Sequence, residues 1–313
     1  QDAVCHLLEL IGSPPAPQKS VPPGQHRTYL GAVFNLGDIE SSGEVVSSPK
    51  FHTVFRIASQ VQLVAESRTL TPGDASKLRG VSGWAGSCLH GKCGKLALTF
   101  LKERQCASEL DTAVTESQLC ELKSLVSVAR HAPPRSIQVV GRPARPVIVY
   151  SDASFQPGDP ITCGWVVFAP HLPRPVGQSL QVPKGVVDTW VQRMTQFFPA
   201  EACCSVLVPY NLPEAFRNQD VIWFIDNEAA AAALIRGGSG STDVDKMVQI
   251  AHHMFLQLNA RVWVEWINSD ANPADGLSRE GFLDSWTKLQ PWELRVPEQP
   301  DWDCLDASLR ADF

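Results

Sequence analysis

The chain has 313 residues, 44% of them hydrophobic, with nine cysteines and a formal net charge of −6. That length leaves room for two domains with packed cores, and no apolar run approaches the length of a membrane span. The cysteines lack regular spacing, which predicts reduced thiols in an intracellular protein rather than a disulfide scaffold.

The opening QDAVCHLLELIG has no basic n-region and no initiator Met, so it reads as a piece cut from a longer polyprotein and not as a signal peptide. Charge is unevenly spread. Residues 1–145 hold 16 Lys+Arg against 12 Asp+Glu, or +4, and residues 146–313 hold 11 against 21, or −10. Phosphate neutralisation supplies much of the affinity for nucleic acid. The basic half is therefore the better candidate for gripping a polyanion, although +4 is also ordinary surface charge.

Residues 2–11 predict a helix, stopped by Gly12 and the proline-rich stretch from Pro14 to Pro23. RTYLGAVFNL, residues 27–36, is a β-like run with Gly31 inside it. A helix comes after Pro49, because Val54, Ile57, Val61 and Val64 recur at three- and four-residue steps. Thr71 caps another, with Pro72 in its first position. Thr115 and Gln118 form a capping-box pattern ahead of Leu119, Leu122, Val126 and Ala129. Cys88, His90, Cys93 and Cys106 could be forced into a zinc site, but paired CxxC spacing is missing and idle thiols are the plainer reading. HAPPRSIQVVGRPARP, residues 131–146, reads as a linker.

The second half alternates. Strands are predicted at 147–152, 162–168 and 174–182, then a helical segment from about Val186 and a helix carrying Glu201. A strand at 221–226 feeds a short alanine-rich helix ending at Gly237–Gly238. Val244, Met247, Val248, Ala251, Met254, Phe255 and Leu258 make a one-sided apolar stripe, VWVEWI at 262–267 is a fifth strand, and Asn272–Pro273 caps a last helix. This order predicts an α/β fold, a mixed five-stranded sheet with helices on its faces.

Asp152, Glu201, Asp226 and Asp275 sit where strands end or helices begin. Elements of one sheet can aim such side chains at a common point, and gathered carboxylate oxygens suit hard divalent cations such as Mg²⁺. Two such ions about 3.5–4 Å apart activate a water and stabilise the leaving oxygen of a phosphodiester. Each residue also has a plain structural reading: Asp152 as a turn former, Asp226 as the cap of a helix beginning at Glu228, Glu201 as a charge in a first helical turn. Glu214 competes with Glu201 but lies in a proline-broken segment, and Asp270 competes with Asp275 but lies outside the helical turn.

The order strand-Asp, helix-Glu, strand-Asp-Asn, helix-Asp resembles ribonuclease H. IDNEAAAAALIRGGSGS followed by VEWINSDANPADGLSR is most similar to the ribonuclease H domains fused to retrotransposon reverse transcriptases, with tyrosine-recombinase elements the nearest type. The resemblance covers residues 146–285. HRTYLGAVFNL and the helices after it are similar to the segment downstream of the palm in those polymerases. The resemblance therefore implies a palm remnant at 1–45, a helical thumb- or connection-like region at 46–130, a linker at 131–145, the ribonuclease H-like domain at 146–285 and a tail at 286–313. No paired-aspartate palm motif is present, so the polymerase site is expected to lie outside this chain.

The resemblance implies a metal-dependent endonuclease cleaving the RNA strand of RNA–DNA hybrids, partnered by the upstream polymerase domain of the same polyprotein. Asp152 and Asp226 would hold both Mg²⁺ ions, Glu201 would bind one and help read the ribose, and Asp275 would complete the other site; Mn²⁺ would substitute. The 2′-hydroxyl would mark the RNA strand, and Ser154, Asn227 and Ser278 are close enough in sequence to contact the sugar-phosphate chain. Two departures point to an alternative, a weak or inactive domain that serves as a structural or template-gripping part of the polymerase. Residues 267–274 contain no His where the family commonly carries one, and only Asn259–Ala260–Arg261 stands where some members have a basic protrusion.

Overall fold

The computed structural model describes residues 24–308 apart from Leu30, His90, Glu109, 140–144 and Pro157. The helix expected at residues 2–11 lies outside these. Strands β1 (His26–Tyr29) and β2 (Ala32–Asn35) form a hairpin; Gly31 turns it at φ 91°, a conformation that disfavours a side chain. The β-like run 27–36 is thus a folded pair of strands.

A short helix α1 (Ile39–Ser42) leads to β3 (Glu44–Pro49), then α2 (Phe51–Ser67), α3 (Pro72–Ser87), α4 (Lys95–Gln105) and α5 (Glu116–His131). The caps read from the sequence are present. Thr71 accepts from the Asp74 N–H, and Thr115 and Gln118 close a reciprocal capping box. Ile57, Val61 and Val64 on α2 meet Leu78, Leu101, Leu119 and Leu122 in one apolar cluster. The expected linker contributes a strand instead. β4 (Arg135–Gln138) pairs antiparallel with β3, completing a sheet of order β1-β2-β3-β4. Its backbone groups find partners there despite the flanking prolines.

The second sheet contains β5 (Val147–Ser154), β6 (Thr162–Phe168), β7 (Val176–Gln181), β8 (Asp220–Ile225), β9 (Arg261–Trp266) and β10 (Glu293–Leu294), in the order β10-β7-β6-β5-β8-β9. β5, β6 and β7 are antiparallel neighbours, and β8 and β9 continue parallel from β5. The sheet has six strands, one more than expected. The extra strand comes from the expected tail, where β10 runs parallel to β7. Two residues carry no readable alternation, so only pairing defines that strand.

Helices α6 (Lys184–Val187), α7 (Phe197–Asn211), α8 (Pro213–Phe216), α9 (Glu228–Arg236), α10 (Thr242–Gln257), α11 (Asp275–Arg279) and α12 (Trp302–Ser308) complete this half. The fold class is mixed α/β, a mixed sheet with flanking helices. Residues 199–209 of α7 are all buried, as an all-round apolar helix must be. Buried Trp165 and Trp223 place their indole N–H groups on Gln178 and Ser151 at 2.8 and 2.9 Å. The two halves touch through Gln249 of α10, whose amide accepts from the Gly94 N–H and donates to the Gly237 and Lys92 carbonyls. Among the described residues no helix is long and apolar enough to cross a membrane.

Candidate metal centre

Parallel pairing of β5 with β8 brings two strand ends side by side. Asp152 lies near the end of β5, and Asp226 follows Ile225, the last residue of β8. Helix α7 packs on β5 and lowers Glu201 between them; the Ala153 N–H donates to Glu201 Oε1 at 2.8 Å. One oxygen from each of Asp152, Glu201 and Asp226 lies within 4.8 Å of the others, and this is the one such His, Cys, Asp or Glu group among the described residues. Cys88 is buried and Cys106 exposed, and they belong to no such group; His90 lies outside the described residues.

Glu201 is not in the first turn. The helix starts four residues earlier, so the carboxylate sits one turn deeper and only 2% exposed. The helix macrodipole therefore gives it little of the help expected from the sequence, since that effect fades beyond the first turn. Burial, followed by the charges of Asp152 and Asp226, pushes its pKa well above the usual carboxylate range. Its Oε2 is buried and has no hydrogen-bond partner.

Asp152 is 6% exposed. Burial first, then the charges of Asp226 and Asp275, raise its pKa to about 7, against the pull of the Ser278 hydroxyl and the Arg279 charge. Ser278 donates a short hydrogen bond to Asp152 Oδ2. Asp226 is held by two groups from the far side. Ser269 Oγ donates to its Oδ2 at 2.7 Å, and Trp266 Nε1 donates to its carbonyl at 2.9 Å. The helix cap beside it is Asn227, not Asp226, because Asn227 Oδ1 accepts from the Ala230 N–H.

Asp275 stands apart from the group of three. It opens α11 and pairs with Arg279 at 2.7 Å, yet its charge is felt at Asp152. Gly164 makes this approach possible. It faces Asp152 across β5 and β6, and a Cβ there would lie 2.6 Å from the Leu277 carbonyl carbon. Any side chain at this position would push α11 off the sheet.

The three expected substrate contacts fare differently. Ser278 is fully buried and its hydroxyl donates to Asp152. Ser154 donates to the Ser278 carbonyl at 2.7 Å, and Asn227 is half-buried at the helix start. Glu214 is engaged by Arg295, remote from the cluster. Sequence reasoning does not single out Gly164, Trp266, Ser269 or Arg279. The available signals are positional: Gly164 lies in a strand beside an acidic strand, Trp266 and Ser269 lie at and just after the end of β9, and Arg279 follows Asp275 by four residues.

No protein-family model and no curated protein matches the chain. Among solved structures, the ribonuclease H1 of the halophilic archaeon Halobacterium salinarum is similar at 14% identity and TM-score 0.32, over 43% of this chain and 96% of that one. The N-terminal ribonuclease H domain of a Mycobacterium tuberculosis protein, solved as a fusion with maltose-binding protein, gives 15% and 0.33 over 43% and 91%. A foamy viral protease-reverse transcriptase in complex with an RNA/DNA hybrid gives 12% and 0.32; 80% of this chain aligns, spanning 30% of that one. Ribonuclease H domains are thus among the structural neighbours of this fold.

Proposed function

We propose that residues 146–285 are the ribonuclease H-type domain of a retroelement reverse transcriptase, hydrolysing the RNA strand of RNA–DNA hybrids with two Mg²⁺ ions, and that residues 1–45 and 46–130 are a palm remnant and a thumb-like region. The observation that carries the reading is the convergence of Asp152, Glu201 and Asp226 within 4.8 Å. Three carboxylates gathered this closely, two of them buried, are unfavourable as anions without a cation, and a structural domain gains nothing from them.

The residues fit divalent ions. The donors are hard carboxylate oxygens, and the buried, unpartnered Glu201 Oε2 is an acceptor with a free lone pair. Asp152, Glu201 and Asp226 would hold the ions, with Asp275 completing a second position. When bound, the ions would lower the pKa of an attacking water and neutralise charge on the departing oxygen. The protein's part is to fix geometry. Ser278 and Ser269 set the rotamers of Asp152 and Asp226, and the Ala153 N–H sets that of Glu201. Asp152, whose pKa burial raises to about 7, must ionise fully to act as a ligand.

The test is cleavage of a hybrid labelled on its RNA strand, in Mg²⁺, by the full chain and by Asp226→Asn. The amide keeps the shape and removes the charge, so activity should fall by about a thousandfold or more. Equal cleavage by both proteins would overturn the reading.

A further inference from the structure

Resting on that reading, we infer that Arg279 is a tethered cation that occupies Asp275 when no metal is bound and competes with the incoming ion for it. Three observations lead there. Arg279 Nη2 lies 2.7 Å from Asp275 Oδ1, one turn along a five-residue helix. The guanidinium is 65% exposed and the carboxylate 35%, so the pair sits at the rim of the site and its arginine has room to leave. The charge of Arg279 also reaches Asp152, where Asp226 and Asp275 act in the opposite sense.

Gly164 and the buried Ser278 hold the helix against β5 and β6, so the pair is fixed beside the cluster and does not drift. An arginine in this place lowers the repulsion among the carboxylates of the empty site. It also weakens the ion position that includes Asp275, because binding there must first break the pair. Asp275 thus lies outside the group of three for a physical reason. Its charge is already matched.

An exposed ion pair at helical spacing contributes a few tenths of a kcal/mol to about 1 kcal/mol, which converts to about two- to fivefold in ion affinity. Calorimetric titration of the full chain with Mn²⁺ reads this directly, without turnover. Arg279→Gln should tighten the weaker of the bound ions by that factor, and Arg279→Lys, which keeps the charge, should restore most of the wild-type value. The decisive comparison is a double-mutant cycle with Asp275→Asn. If Arg279 acts by holding Asp275, the gain from Arg279→Gln vanishes in the Asp275→Asn background.

A gain of equal size in both backgrounds would show a diffuse field effect and overturn the competition. So would unchanged or weaker affinity in Arg279→Gln, as expected of an ordinary helix pair. If wild type binds no Mn²⁺ at all, both this inference and the proposed function fall. If wild type binds and Asp226→Asn does not, the function stands whatever Arg279 does.

Discussion

Arg193 with Asp243, at the start of α10, and Asp152 with Glu201 and Asp226, at the ends of β5 and β8, are two groups of buried charge built on opposite rules. Asp243 meets Arg193 through both of its oxygens, at 2.7 and 2.8 Å, and also accepts from the Ser241 hydroxyl and from the N–H groups of Val191 and Val244. Burial alone would raise its pKa, but these partners hold it down at about 2. The second group gathers carboxylates, leaves Glu201 Oε2 unpartnered, and has the pKa values of Asp152 and Glu201 pushed up. A buried charge with every lone pair matched stabilises a fold. Buried carboxylates that repel are unfavourable as anions unless an opposite charge joins them.

The largest effect should come from breaking the satisfied pair. Arg193→Ala leaves Asp243 desolvated and uncompensated, and unfolding in urea should show a loss of about 3 kcal/mol. A loss below about 1 kcal/mol, the value of an exposed pair, would erase the contrast between the two groups.

The contrast sharpens in the pH dependence. The folded pKa of Asp152, about 7, lies above its unfolded value of about 4, so the folded chain binds the extra proton between them. Stability in EDTA should therefore fall as pH rises from about 4 to about 7, by on the order of 3 kcal/mol. Asp243 has the opposite sign. Its folded pKa is depressed, so its contribution is present above about pH 4 and is lost as pH falls toward about 2. Thermal melts in EDTA across this range check both, and Asp152→Asn should reduce the upper slope, to which Glu201 also contributes, and leave the lower one unchanged. Mg²⁺ should abolish that slope as well, because it binds the ionised carboxylates of the folded state. A wild-type profile that rises through the upper window, or ignores Mg²⁺, would count against a strained metal centre.

The smallest effect belongs to the helical region, where the helix caps are satisfied by side chains three residues away. Thr115→Ala removes half of the capping box and should cost about 1 kcal/mol, with hybrid cleavage per folded molecule unchanged. Chemical denaturation and an activity assay on the same preparation measure both.

Much of this chain is legible because its signals are local. The β6 strand has the predicted bounds, and the caps at Thr71 and Thr115 arise from side chains three residues from the groups they bind. The apolar stripe of α2 fixes its buried face, whereas α10 also buries Gln249, His252 and His253 off its stripe. Helix α7 is harder to read. It is apolar on all sides, so no phase in its sequence tells how deep Glu201 lies, and its start falls a turn earlier than the sequence suggests.

By itself, then, the sequence determined many of the elements, the order of four carboxylates along them, and the fold class, since periodicity and capping act over a few residues. The tertiary structure alone decided which carboxylates meet. Asp152 and Asp226 are neighbours because β5 and β8 pair in parallel across 73 intervening residues. Glu201 joins them because α7 packs on β5, and α11 closes in because Gly164 offers no side chain to stop it. These are non-local contacts, set by packing and strand register, and no window along the chain contains them.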